Sequence, residues 1–141
     1  MGLKVFDKAV EYYTKAIQIA PEGDYVPHAT LGLGRASAAL GKMSEAQTYF
    51  EKALTYDYET TVALRARFEL ANLRLAAGDL EEAAKSFMLV AILYEDEKYC
   101  PLALYKAWEC FTTLKRPEDA AKALGELKNR YPQSEWAKKA S

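Results

Sequence analysis

The sequence predicts an all-α fold made of stacked antiparallel helix pairs. Three observations carry that prediction. Four tetrapeptides end in alanine at one constant spacing: Phe6-Asp7-Lys8-Ala9, Met43-Ser44-Glu45-Ala46, Leu80-Glu81-Glu82-Ala83 and Pro117-Glu118-Asp119-Ala120. Ala9, Ala46, Ala83 and Ala120 stand 37 residues apart each time, and a fixed period of this size marks a repeat array. After the repeated alanine, apolar residues recur at helical spacing. Ala46, Phe50, Ala53 and Leu54 fall at i, i+4, i+7 and i+8, the stripe of an amphipathic helix. No segment alternates apolar and polar residues for long, so no strand is predicted. The composition agrees, with 24 alanines and only 5 prolines.

Each element follows from its own signals. A lone helix over 3–20 carries Ala9, Tyr13 and Ala16 on one face, and Pro21 closes it. A helix over 26–40 starts at Pro27 and stops at Gly41, where the chain needs a left-handed residue. Ser44 is the expected N-cap of the next helix, 44–57, with Glu45 in its first turn. Gly78 ends a helix over 60–77, and Asp79 is the expected N-cap of one over 80–95, led by Glu81 and Glu82. Pro101 opens a helix over 101–114. Glu118 and Asp119 suit the start of one over 117–131, which Pro132 closes before a short capping helix, 134–140. Lys4 and Lys115 occupy the repeat position of Gly41 and Gly78. The reading is one repeat domain over 1–141: a lone helix, helix pairs 26–57, 60–95 and 101–131, and a cap. Because the repeat register opens on a second helix, the chain is expected to be part of a longer one.

Composition excludes several function classes. Lys plus Arg is 19 and Asp plus Glu is 20, a formal charge of −1. Such a chain has no basic excess to neutralise phosphates, so nucleic acid is not an expected partner. One His and two Cys cannot build the usual four-ligand zinc site, and no cofactor is expected. No run of about 18 apolar residues exists, so no membrane insertion is expected. Asp7 and Glu11 interrupt any signal-peptide core, and Phe6 stands where a myristoylation signal wants Ser or Thr. Cys100 and Cys110, ten residues apart, would lie about 15 Å apart on one helix, too far for a disulfide. Two free thiols are expected, with Cys110 in the core.

The repeat resembles the tetratricopeptide repeat. Leu33-Gly34 and Leu70-Ala71 match the Leu-Gly pair of that family's first helix. Ala9-x3-Tyr13, Ala46-x3-Phe50 and Ala83-x3-Phe87 match its second helix, and Pro21 and Pro132 match its closing Pro. The resemblance covers essentially the whole chain. It implies a right-handed α-α superhelix and a ligand groove on the concave side, lined by first helices. The 37-residue pitch is three longer than usual; Arg67 and Arg74 replace aromatics, and Trp108 replaces a small residue. Residues 124–140, with Tyr131-Pro132-Gln133-Ser134, are similar to bacterial cell-envelope members of the family. The location is left open between the cytoplasm and, by that similarity, the bacterial periplasm or cell envelope.

On this resemblance the groove residues are His28, Leu31 and Arg35; Arg65, Phe68, Glu69 and Asn72; and Leu102, Tyr105, Lys106 and Glu109. Aromatics beside Arg and Asn suit peptide recognition, offering stacking area and donors for carbonyls or carboxylates. Phe68 and Tyr105 fit packing between neighbouring units equally well. Asn72 and Lys106 hint at a co-chaperone carboxylate clamp, but the full set is absent. His28 has no second ligand near it in sequence, so it reads as a surface or groove residue. Gly32-Leu33-Gly34 lies in a helix with no preceding strand, so close packing explains it better than a phosphate loop. Glu95-Asp96-Glu97 lacks the spaced oxygens and Gly of a calcium loop and reads as a solvated corner. Lys138-Lys139 is too short for a targeting signal. No paired acid and base or nucleophile group is visible, so no catalysis is expected. The predicted function is a protein-interaction scaffold that binds a partner's peptide or helix. The alternative is a self-assembly module exposing Val5, Ala9, Tyr13 and Ala16.

Overall fold

The computed structural model describes residues 2–56 and 58–140. Eight helices and no strands occur among the described residues: α1 Gly2–Ile19, α2 Val26–Ala39, α3 Met43–Ala53, α4 Thr60–Ala76, α5 Leu80–Leu93, α6 Tyr99–Thr113, α7 Pro117–Arg130 and α8 Glu135–Lys139. The all-α class expected from the repeat is the one the chain adopts. The chain divides within α4 into two compact units, one ending at Leu70 and the other starting at Ala71.

In the first unit α2 packs against both α1 and α3. Its core holds Val26, Ala29, Leu31, Leu33, Ala46, Phe50, Ala53 and Val62. Phe50 is fully buried, and truncating such a side chain typically costs about 3–5 kcal/mol. A Cβ on Gly34 would lie 2.5 Å from the Phe50 ring, so only glycine lets the ring of α3 seat against α2. Gly32 does the same for Tyr13 of α1, again at 2.5 Å. The Gly32-Leu33-Gly34 motif is thus a packing device on both sides of one helix.

In the second unit α6 packs against α5, α7 and α8. Phe87, Val90, Leu104 and Leu127 are fully buried there. Ala91, Ala137 and Ala140 close the same core, with Trp108, Leu124 and Trp136 packed against its edge. Cys100 and Cys110 are both buried free thiols, the latter in the core as expected.

The helix ends follow backbone chemistry closely. Gly41 and Gly78 have φ of +80° and +82°, the left-handed turn that stops α2 and α4. Lys115 takes the same turn after α6 with φ +59°, although it carries a side chain. Sequence reading extends α3 to residue 57, but the helix ends at Ala53. Thr55 and Tyr56 bond back to Lys52 and Ala53, which tightens the turn and stops the α-helical ladder. Ser44, expected as an N-cap, lies inside α3; Lys42 holds that position. Asp79 does occupy the N-cap of α5, without a side-chain hydrogen bond. The entry to α6 is capped instead by Asp96, whose carboxylate accepts the amides of Lys98 (3.0 Å) and Tyr99 (2.6 Å). Asp96, the middle member of the acidic run, is therefore structural. Ser134 caps α8, accepting the amide of Ala137 at 3.1 Å.

Candidate functional site

The eleven residues chosen from sequence occupy four positions of the 37-residue register. These are His28, Arg65 and Leu102; Leu31, Phe68 and Tyr105; Glu69 and Lys106, with Gly32; and Arg35, Asn72 and Glu109. All lie on first helices, α2, α4 or α6. Their surroundings differ between the two units.

In the first unit, His28, Leu31, Arg35, Arg65 and Glu69 line one cavity of about 530 Å³. His28 and Arg35 are exposed, Arg65 and Glu69 half-buried, and Leu31 forms part of the floor. Phe68 is only 4% exposed and belongs to the core. The opposite wall comes from α1 and the turn after it: Phe6, Ala9, Tyr13 and Tyr25. None of these is among the site residues expected from sequence, because the resemblance places the groove on first helices alone. Tyr12 and Tyr13 meet edge to face at 5.6 Å. The Tyr25 hydroxyl titrates above its ordinary range, first through desolvation, then through the charge and hydrogen bond of Tyr12 and the charge of Tyr13. Two arginines stand against one glutamate in the lining, so the cavity is net cationic. Donors beside flat aromatic area suit a peptide bearing carboxylates or free backbone carbonyls.

In the second unit two of the predicted residues, Lys106 and Asn72, engage each other. Lys106 Nζ donates to Asn72 Oδ1 at 2.9 Å and stands 5.7 Å from the centre of the Phe87 ring. Tyr105 packs on Trp108 (5.5 Å) and on Trp136 of α8 (5.1 Å). Lys139 caps both rings, 5.8 Å from Tyr105 and 5.3 Å from Trp136. Tyr105 is thus half-covered by the C-terminal helix. Leu102 is half-buried and Glu109 exposed. No group of three or more His, Cys, Asp and Glu side chains among the described residues is placed to hold a metal ion. No helix among them is long and apolar enough to cross a membrane.

Residues 1–22 and 28–60 match one model of the tetratricopeptide repeat, and residues 102–134 match another. No curated protein matches the chain. Among solved structures, the crystal structure of PilW, a widely conserved type IV pilus biogenesis factor, is similar with a TM-score of 0.74 at 22% identity. The match covers 98% of this chain and 60% of that one, and it is a likeness of fold.

Proposed function

Because the chain belongs to the tetratricopeptide repeat family, whose repeats mediate protein–protein interaction, we propose that it is a non-catalytic scaffold whose first-unit cavity holds a peptide segment or helix of a partner. The observation carrying this reading is the convergence of His28, Arg35, Arg65 and Glu69 with Tyr13 and Tyr25 around one space. Aromatic and arginine anchors in a partly enclosed pocket are where binding energy concentrates. The likeness to a pilus biogenesis factor supports a bacterial cell-envelope assembly as the setting.

A photo-crosslinking amino acid at position 28 tests the site in the producing cell. One partner protein should be captured there, and Arg35→Glu should abolish the adduct. Equal capture from position 52, on the exposed face of α3, would overturn the assignment. Phe68 is unsuitable as a probe, because its burial makes any substitution a test of folding.

A second reading, self-association, has one observation in its favour. Of the predicted face only Val5 is exposed; Ala9, Tyr13 and Ala16 are half-buried, Tyr13 against Gly32 of α2. Val5 (63% exposed), Tyr12 (63%) and Ile19 (84%) instead form an uncovered apolar line on α1. Sedimentation at tens of micromolar should then show dimers or larger species. A strict monomer rejects that reading.

A further inference from the structure

A second cavity, about 790 Å³, lies between α5 and α7 and is lined by none of the residues chosen from sequence. Its α5 wall includes Met88, Ile92 and Leu93. Ile92 is 72% exposed and Leu93 50%, and the neighbouring Leu89 is 40% exposed. The repeat itself shows that the fold does not require them. In the 37-residue register, Met88 corresponds to Thr14, Glu51 and Gly125; Leu89 to Lys15, Lys52 and Glu126; and Ile92 to Gln18, Thr55 and Asn129. The other second helices form with no large apolar side chain at these three positions, whereas Leu93 has apolar counterparts in Ile19 and Tyr56. The patch at Met88, Leu89 and Ile92 is peculiar to α5.

The α7 wall is shaped as if for a close approach. Gly125 sits in the middle of that helix, where glycine costs about 1 kcal/mol relative to alanine. No atom lies within 4 Å of where its Cβ would be, so packing within the chain does not demand glycine. One end of the groove is closed by Arg130, which donates to the carbonyls of Ala91 (2.8 Å) and Tyr94 (3.2 Å). Lys122 and Arg130 are eight residues apart, about 12 Å along α7. Lys122 is exposed toward one end of this span, and Glu95, just past the end of α5, toward the other. The remaining charges of the lining, Glu126 and Arg130, pair with each other at 3.5 Å.

We propose that this groove receives one amphipathic helix of a second protein, lying along α7, with its apolar face on Met88, Ile92 and Leu93 and its closest approach at Gly125. The groove's end charges order the guest: a carboxylate in its first turn meets Lys122, and a cation in its last turn meets Glu95. That order also suits the guest helix's own dipole. In a second copy of this chain, α3, α7 and α8 carry that charge order but bury Phe50, Leu127 and Ala137 in their own core. Its helix with exposed apolar residues, α1, has no acidic residue in the first turn and no basic residue in the last. The inference concerns the second unit and shares no residue with the first-unit cavity, so either can fail without the other.

The test uses the full chain and two fluorescein-labelled synthetic peptides of roughly 16 residues, long enough for helix to form on docking. Both place Leu or Ile at i, i+4, i+7 and i+11; one begins Glu-Glu and ends Lys-Lys, the other reverses these ends. Fluorescence anisotropy should show saturable binding of the acid-first peptide, about tenfold tighter than the reversed one. Ile92→Asp should weaken it at least about tenfold with an unchanged circular dichroism spectrum, since Ile92 is not a core residue. Lys122→Glu with Glu95→Lys should invert the preference. No saturable binding, indifference to charge order, or an unaffected Ile92→Asp chain would overturn the proposal. So would sedimentation showing that the unliganded chain dimerises through Ile92.

Discussion

At the scale of single residues, glycine content is decided by two different pressures. Gly32 and Gly34 are small because an aromatic ring occupies the space of a Cβ. Gly34→Val should overpack the α2–α3 contact and lower stability by about 1–3 kcal/mol, measured as a shift of the urea midpoint. Gly41 and Gly78 are glycine because φ is positive, with no atom near. Lys115 shows the same turn made without glycine. Lys115→Gly should therefore raise stability by about 1 kcal/mol, strain relief outweighing the lost backbone entropy. Cys100 adds a pH effect. Burial, the largest cause, pushes its thiol above the ordinary 9.0, despite its hydrogen bond with Tyr131. The Tyr131 hydroxyl is likewise raised above 10.0, mainly by burial. Both groups fold best when protonated, so their contribution is complete below pH 9 and is lost as pH rises through the elevated values. Alkaline urea titrations should show stability falling above about pH 9, and Cys100→Ala should flatten part of that slope.

At the scale of elements, helix identity was legible and helix capping was not. The 3.6-residue stripe, the glycines and the prolines place all eight helices, because each signal acts within a few residues of itself. The ends escape such reading when the capping group is chosen by where the chain turns. Asp96 caps α6 from an acidic run that looks merely solvated, whereas Ser44 has the right chemistry in the wrong register. Asp96→Ala should cost about 1 kcal/mol, and Asp96→Asn less, since the amide oxygen still accepts. Arg130 is a longer-range cap. From α7 it satisfies two carbonyls at the end of α5. Arg130→Met keeps the stem and removes the donors, and should cost about 1.5–3 kcal/mol by thermal or urea unfolding.

At the scale of the whole molecule, near-neutral charge matters more than any single pair. With a formal charge of −1 and an isoelectric point near 5.9, the chain should be least soluble close to pH 6. The peptide binding proposed for the first-unit cavity should weaken with salt in a titration, because Arg35 is exposed and its attraction to a carboxylate is screened within about 8–10 Å. Of the candidate site, the sequence reveals which repeat positions lie on first helices. It does not reveal which of them are covered. Leu31, Phe68 and Tyr105 share one position, yet Phe68 is core and Tyr105 is half-hidden beneath Trp136. Equivalent register means equivalent direction on a helix, and exposure depends on what neighbouring elements bring.

The sequence by itself determined the all-α class, the pitch, the eight helices among the described residues and the turns at Gly41 and Gly78. Those features depend on backbone preferences and on periodic burial, both written locally along the chain. Only the tertiary structure decided that α1 and its tyrosines wall the first cavity, that Asp96 and Arg130 finish helices, and that α5 leaves an apolar groove open beside Gly125. Each of these joins residues remote in sequence or depends on space left empty, and no local pattern encodes a vacancy.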